Sequence, residues 1–239
     1  MYSYSCYYSA MQRDVVFAEG EFYHLYNRGV DKRKIFLDEN DHLRFVRLLY
    51  VANSTTSFVF RDIERLPLKD VPRGEPLVAI GAYVLMPNHF HILVKEIRNK
   101  GISTFMEKLL TGYAAYFNKR QKRTGALFQG RFQARHADHD AYLKYLFSYI
   151  HLNPVKLIQP RWKEVGITNM PRTREFLAKY RYSSYLDLSR NVREQSIILA
   201  THEFPDYFSN SRDLNDHIDE WLLYREVYGA DPPDQSAHT

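Results

Sequence analysis

Residues 77–94 read LVAIGAYVLMPNHFHILV and predict a β-hairpin. Residues 77–86 are mostly apolar, which indicates a strand that is buried on both faces. The dipeptide Pro87-Asn88 is a turn signal, and a second apolar strand follows it. We expect these two strands to lie at the centre of the fold, with the rest of the chain packed around them.

The second strand of this hairpin carries a His-x-His motif. Successive side chains of a strand point to opposite faces, so His89 and His91 project side by side while Phe90 points into a core. Neutral imidazole is a common ligand of divalent metals, and two imidazoles on one strand make half a coordination sphere. The alternative is a strand that carries two half-exposed histidines by chance.

A predicted helix occupies most of residues 138–156. Asp138 or Asp140 can cap its start, and Pro154 stops its continuation. Apolar residues at helical spacing make one buried stripe: Leu143, Leu146, Phe147 and Ile150.

A stripe of tyrosines lies next to that apolar stripe, at Tyr142, Tyr145 and Tyr149. Asn153 follows Tyr149 at i+4, so the phenol and the amide can face the same site. The alternative is that the tyrosines form an ordinary amphipathic packing edge.

Charge is unevenly distributed along the 239 residues, whose formal net charge is +5. Residues 201–239 contain nine acids and two bases, a net charge of −7, which leaves +12 on residues 1–200. Residues 108–137 contain no Asp or Glu but are rich in bases and aromatics. Bases attract phosphates and aromatic faces stack on unpaired bases, which predicts a nucleic-acid surface. The candidate DNA-binding residues are Lys119, Arg120, Lys122, Arg123, Arg131 and Arg135. The alternative is a solvated basic helix end with aromatics in the core.

The predicted elements follow the order β-α-β-β-α-β-α. The first six elements are predicted at residues 21–27, 38–51, 77–86, 89–94, 103–119 and 126–135, and the seventh is the helix that carries Tyr149. Ser103 is the expected N-cap of the fifth element, the helix at 103–119. This order predicts an α+β fold, a ferredoxin-like split βαβ antiparallel sheet with helices on one face, plus a C-terminal helical extension.

We predict three parts of the chain: an N-terminal extension (1–20), a catalytic domain (21–160) with a surface insertion (54–76), and a C-terminal extension (161–239). The last part is expected to pack partly on the core and to contain an acidic amphipathic helix at residues 213–228.

Composition excludes several classes of protein. No apolar run is long enough to span a bilayer, and no secretory signal is visible. The single cysteine, Cys6, rules out an internal disulfide and a cysteine-based zinc cluster. A cytoplasmic location is therefore expected.

Four ordered motifs carry a resemblance to a known family. They are residues 22–29 (FYHLYNRG), 82–91 (AYVLMPNHFH), 125–132 (GALFQGRF) and 149–156 (YIHLNPVK), with YSSY at 182–185 as a further element. In this order they resemble the HUH-type single-tyrosine transposases, in particular the branch associated with repetitive extragenic palindromes. The resemblance covers most of residues 20–190.

The resemblance implies a metal-dependent transposase and endonuclease that cleaves and rejoins single-stranded, hairpin-bearing DNA. Tyr149 would be the nucleophile and would form a covalent 5′-phosphotyrosine, with Tyr145 and Tyr142 as fallback nucleophiles. His89 and His91 would hold Mg²⁺ or Mn²⁺, with Asn153 as third ligand through its amide oxygen. His24 is a candidate to support the metal ligands from the first strand, and His151 is interpreted as a packing or DNA-contacting residue.

Two other functions stay open on sequence alone. One is a non-catalytic nucleic-acid-binding regulator derived from a transposase, and the other is a metal-dependent phosphodiesterase that hydrolyses its substrate. The DNA sequence and cleavage position, the physiological metal, and whether the protein mobilises itself are also left open. So are the choice between monomer and homodimer, and whether Tyr149 acts in cis or in trans.

Overall fold

The structure is a computed structural model that describes residues 15–188 and 193–207. Its strands are β1 (Phe22–Arg28), β2 (Val78–Met86), β3 (His89–Glu96) and β4 (Gln133–His136). Its longer helices are α1 (Glu39–Val51), α3 (Gly101–Arg120), α4 (Asp140–Leu152) and α6 (Met170–Lys179). Three single-turn helices are α2 (Phe60–Ile63), α5 (Trp162–Val165) and α7 (Tyr185–Leu188). The predicted helix at 213–228 and most of the N-terminal extension lie outside the described residues.

The strands form one antiparallel sheet in the order β2-β3-β1-β4. Met86 pairs with His89 across the two-residue turn, so the predicted hairpin is confirmed. With α1 after β1 and α3 after β3, this is the strand order of a split βαβ unit. The predicted α+β, ferredoxin-like class is therefore confirmed.

Helices α1 and α3 cover one face of the sheet. Phe45 from α1, and Phe105 and Tyr113 from α3, are buried against Phe90 of β3 and Leu25 of β1 in one apolar cluster. This cluster is the core that the alternation of the His-x-His strand predicts for Phe90.

Helix α4 covers the opposite face, where Ala82 and Val84 of β2 pack with Leu146 and Ile150. The expectation of helices on one face therefore holds for α1 and α3 and fails for α4. The physical reason lies in β2, all of whose residues are buried. A strand that is apolar on both faces requires a layer on each side.

Helix α3 begins two residues before the expected cap, Ser103. Glu96, the last residue of β3, accepts a hydrogen bond at Oε2 from the Ile102 N–H at 2.8 Å, so a carboxylate from the preceding strand satisfies an N-terminal amide of the helix. Ser103 is exposed within the first turn, and its predicted capping role is wrong.

Strand β4 is shorter than the predicted strand at 126–135. Gly130 has φ +67°, which breaks the extended backbone, and Phe128 forms only an isolated bridge with Gly29. The regular pairing of β4 with β1 starts at Gln133.

The chain after α6 packs on the free edge of β2. Leu85 donates its N–H to the carbonyl oxygen of Tyr182 at 2.9 Å, and Ser184 donates its N–H to that of Tyr83 at 3.0 Å. Further along, Ala200 donates to the Ile80 carbonyl oxygen at 2.9 Å. Among the described residues, no helix is both long and apolar enough to cross a membrane.

Candidate active site

The two histidines of β3 lie on the α4 face of the sheet. Their ring centroids are 5.1 Å apart, and Phe90 between them points into the α1–α3 core. His91 is 2 % exposed, whereas His89 is half-buried and its Nδ1 lies 2.7 Å from Oδ1 of Asn88. The strand thus holds one imidazole in the interior and the other near the surface.

His24 of β1 is in direct contact with His91. Its Nε2 lies 2.9 Å from Nδ1 of His91, and both rings are buried. One of these two nitrogens must carry the shared proton. If His91 donates from Nδ1, its Nε2 keeps a lone pair that can bind a cation; if it accepts at Nδ1, its Nε2 carries the hydrogen instead. His24 therefore controls which atom of His91 is available as a ligand.

Tyr149 of α4 is brought against these two histidines. The centroid of its ring lies 5.4 Å from that of His91 and 5.7 Å from that of His24, in edge-to-face geometry. The ring is 5 % exposed. Residues far apart in the sequence, on β1, β3 and α4, thus converge at one place.

Asn153 lies one helical turn beyond Tyr149. It precedes Pro154 but keeps helical geometry, with φ −53° and ψ −40°, because the α-helix passes into a 3₁₀ turn at this residue. Its side chain is fully buried, and within the described residues neither Oδ1 nor Nδ2 has a hydrogen-bond partner. A buried amide left without partners costs about 1–3 kcal/mol, so a polar ligand is expected at this position.

A metal site made of three or more His, Cys, Asp or Glu side chains is not found within residues 15–188 and 193–207. The set inferred from the resemblance consists of two imidazoles and an amide oxygen, a different kind of site. The unpartnered amide of Asn153 and the two imidazoles of β3 are donors of the types that Mn²⁺ and Mg²⁺ accept. The residues present therefore fit a divalent cation.

The other two tyrosines of the stripe continue away from the histidines. The Tyr145 ring stacks on that of Tyr149 with centroids 5.8 Å apart, and Tyr142 follows at 6.0 Å from Tyr145. Arg135 of β4 covers Tyr142, its Cζ 4.9 Å from the ring centroid. Burial raises the pKa of Tyr142 to about 12, which disfavours the phenolate form of this side chain.

His151 has a structural role. Its ring is fully buried, and Nε2 lies 2.8 Å from Oγ of Ser184, which also accepts the N–H of Tyr83 at 2.9 Å. The interpretation as a packing residue agrees with this burial, and the alternative of a DNA contact does not.

The predicted DNA-binding residues differ in their surroundings. Arg120 forms ion pairs with Asp38 and Asp41 of the α1 start, which raise its pKa further. Arg123 donates to Asn118 Oδ1 at 2.6 Å and to the Ala126 carbonyl oxygen at 3.0 Å. Four others have exposed side chains: Lys119, Lys122, Arg131 and Arg135. Arg120 is thus engaged within the protein, whereas these four are exposed to solvent.

The middle of the chain matches the model of a known protein family. Residues 75–153 match the model of the family described as "Transposase IS200 like". The resemblance to transposases is confirmed. The matched stretch extends from the start of the β2 region to the end of α4, so it contains His89, His91, Tyr149 and Asn153, and it leaves out His24. No curated protein sequence matches the chain.

Solved structures that are similar to this chain include the following two. One is a REP-associated tyrosine transposase bound to a REP hairpin, at 14 % identity and a TM-score of 0.47, over 76 % of this chain and 87 % of that one. The other is the tRNA(His) guanylyltransferase of Saccharomyces cerevisiae, at 10 % identity and a TM-score of 0.35, over 84 % of this chain and 85 % of that one. At these TM-scores, neither likeness is informative about function.

Proposed function

We propose that this protein is a metal-dependent DNA transposase of the HUH type that cleaves and rejoins single-stranded, hairpin-bearing DNA through a tyrosine. One observation carries the proposal: Tyr149 of α4 lies against His91 and His24. A binding protein requires no such convergence, whereas covalent phosphoryl transfer requires a nucleophile beside groups that can stabilise charge.

Tyr149 is the nucleophile in this proposal. Its phenol gives up a proton to water as its oxygen attacks the scissile phosphorus. A bond from Tyr149 Oη to phosphorus forms, and the bond from phosphorus to the 3′ oxygen breaks. The leaving strand departs as a 3′ hydroxyl after it gains a proton, and the 5′ phosphate stays on the enzyme. Because the phosphoester energy is retained in the phosphotyrosine, a 3′ hydroxyl can reverse the step and rejoin the DNA without ATP.

The histidines and Asn153 would hold the cofactor, Mg²⁺ or Mn²⁺. His89 and His91 would contribute ring nitrogens, and Asn153 its amide oxygen. When bound, the cation would withdraw negative charge from the scissile phosphate and orient it. His24 would position His91 by accepting its Nδ1–H, as partners of metal-bound histidines commonly do.

The substrate proposed is single-stranded DNA that folds into a hairpin or palindromic repeat. The basic residues at the end of α3 and on β4 would neutralise its phosphates. Residues 21–160 would be the catalytic domain, and a cytoplasmic location suits a DNA substrate.

The test is incubation with a labelled pool of single-stranded hairpin oligonucleotides and Mg²⁺ or Mn²⁺, followed by denaturing electrophoresis. We expect a shifted band that survives denaturation and is lost in Tyr149→Phe and His89→Ala. Tyr145→Phe is the matched control, because it removes a hydroxyl from the same stripe, and it should keep the band.

Each alternative function gives a different result in this test. If the protein binds a hairpin but forms no adduct in either Mg²⁺ or Mn²⁺, the non-catalytic regulator would replace the proposal. Cleavage without an adduct, unchanged in Tyr149→Phe, would replace it with the hydrolytic phosphodiesterase.

A further inference from the structure

A cleft of about 600 Å³ lies on the outer surface of α1, where α3 and the insertion 54–76 meet it. Its lining includes four arginines and two aromatic rings: Arg44, Arg47, Arg65, Arg120, Phe60 and Tyr116. This cleft is separate from the candidate active site, because α1 and α3 cover the sheet face opposite to α4 and Tyr149.

Arg44 is held between two aromatic rings. Its Cζ lies 3.3 Å from the ring centroid of Phe60 and 4.4 Å from that of Tyr116. Stacking occupies the faces of the guanidinium and leaves its N–H edge available for an acceptor. Among the described residues, no ion pair neutralises Arg44.

Arg47 is fixed but incompletely hydrogen bonded. Its Nη2 donates to the carbonyl oxygens of Ile63 and Leu66, which attaches α1 to the insertion. Its Nε is buried and has no hydrogen-bond partner within the described residues. A buried donor without an acceptor is unfavourable, so an acceptor in the cleft would relieve this cost.

Acidic residues only partly offset this charge. Arg120 is neutralised by Asp38 and Asp41, and the Glu194 carboxylate accepts the N–H of Leu68. Glu64 is exposed at the rim, as is Arg65. With Arg120 paired, three arginines of the lining, Arg44, Arg47 and Arg65, face two glutamates, Glu64 and Glu194, which leaves an excess of one positive charge.

We propose that this cleft binds a backbone phosphate of the DNA substrate, as a contact remote from Tyr149. Guanidinium groups fixed by stacking and by carbonyl hydrogen bonds match the oxygens of a phosphodiester and lose little side-chain entropy on binding. The contact reads no base, so it increases affinity for every sequence alike. The inference rests on the proposed function only in taking the anion to be DNA.

The test measures fluorescence anisotropy of a labelled hairpin oligonucleotide in the Tyr149→Phe background, which prevents turnover, over a series of salt concentrations. Adding Arg65→Ala should weaken binding about tenfold and lower the slope of log K against log salt by about 1, the result expected when one phosphate contact is lost. Adding Glu64→Gln should tighten binding, because it removes a repelling charge.

Arg61→Ala is the matched control, since Arg61 lies in the same insertion with a side chain that is 87 % exposed, and it does not line the cleft. Equal affinities and salt slopes for Arg65→Ala and Arg61→Ala would overturn the proposal. A second result would also overturn it: inorganic phosphate raises the melting temperature only when Arg65 is present, but DNA binding is the same with and without Arg65. The cleft would then be a site for a small free anion. Either of these results would overturn the proposed phosphate contact but not the proposed function, which formation of the Tyr149 adduct tests separately.

Discussion

At the scale of single residues, the contact between His24 and His91 has the most direct chemical consequence. The pair spans two strands, and His91 can offer Nε2 to a cation only when its Nδ1 donates to His24. Strand alternation in the sequence predicts the side-by-side arrangement of His89 and His91. It does not predict the hydrogen bond, because the register between β1 and β3 is set by tertiary packing.

Replacing His24 should therefore weaken metal binding. We expect His24→Ala to lower the affinity for Mn²⁺ about 10- to 100-fold, as is typical when the partner of a metal-bound histidine is removed. Titration followed by electron paramagnetic resonance of free Mn²⁺ measures this without any turnover. His139→Ala, a change at an exposed histidine, is the control. Equal affinity for the His24→Ala and wild-type proteins would show that His24 does not position the ligand.

At the scale of elements, the start of α1 combines a cap and an ion pair. The Asp38 side chain accepts the N–H of Asp41 at 3.2 Å and also pairs with Arg120. The Arg120 hydrogen bond is the main cause that lowers the pKa of Asp38 to about 2. The folded state thus favours the ionised form of Asp38. The resulting stabilisation of the folded protein is present above the ordinary pKa of 3.8 and is lost as the pH falls through about 2.

Asp38→Ala should consequently destabilise the protein in a pH-dependent way. We expect the free energy of unfolding near pH 7 to fall by about 1 kcal/mol, the usual effect of losing an N-cap. The difference from wild type should shrink as the pH falls toward 2, as measured by urea unfolding at a series of pH values. The exposed Asp70→Ala serves as control. A difference that stays constant down to that pH would contradict the linkage.

Two glycines of α3 should respond oppositely to alanine. A Cβ at Gly101 would lie 2.1 Å from the carbonyl oxygen of Leu77, whereas at Gly112 the nearest atom, Leu48 Cδ2, is 3.4 Å away. Overpacking against backbone at the first site should cost about 1–3 kcal/mol. The better helix propensity of alanine at the second should gain up to about 1 kcal/mol. Thermal unfolding of both variants tests this, and similar melting temperatures would argue against the close approach of α3 to β2.

The sequence pattern predicts most of the helices and strands, and each wrongly predicted bound has an identifiable physical cause. The amphipathic pattern of α1 and the turn at Pro87-Asn88 depend on neighbours in sequence, so their bounds are correct within a residue. The start of α3 depends on Glu96 instead of a local cap, and β4 is shortened at Gly130. Both errors arise from contacts or conformations that periodicity does not encode.

At the scale of the whole molecule, the sheet divides the chain into two layers with different roles. One layer, α1 and α3, carries the arginine cleft, and the other, α4, carries Tyr149. Helices on one face only were predicted from the sequence, although the β2 strand, which is apolar on both faces, requires the second layer. The sequence gives no signal for the cleft, because Arg44 and Arg65 are separated from Tyr116 in sequence and come together only when residues 54–76 pack against α1.

The segment after α6 should stabilise the sheet but take no part in the reaction proposed for Tyr149. Ser184 joins α4 to β2, since its Oγ contacts His151 and accepts the N–H of Tyr83. Ser184→Ala leaves these buried groups without that partner and should lower the free energy of unfolding by about 1–3 kcal/mol. Urea unfolding measures the loss, and Ser103→Ala, at an exposed position, is the matched control. An unchanged stability would mean that the segment contributes little to holding β2.

The central claim is that Tyr149 becomes covalently joined to DNA. Its most direct test is mass spectrometry of peptides from the protein–DNA adduct after nuclease and protease digestion. We predict that the nucleotide-modified peptide contains Tyr149 and that the modification maps to that residue. A modification at Tyr142 or Tyr145 would assign the nucleophile elsewhere on α4, and an adduct at a residue outside α4 would contradict the account as a whole.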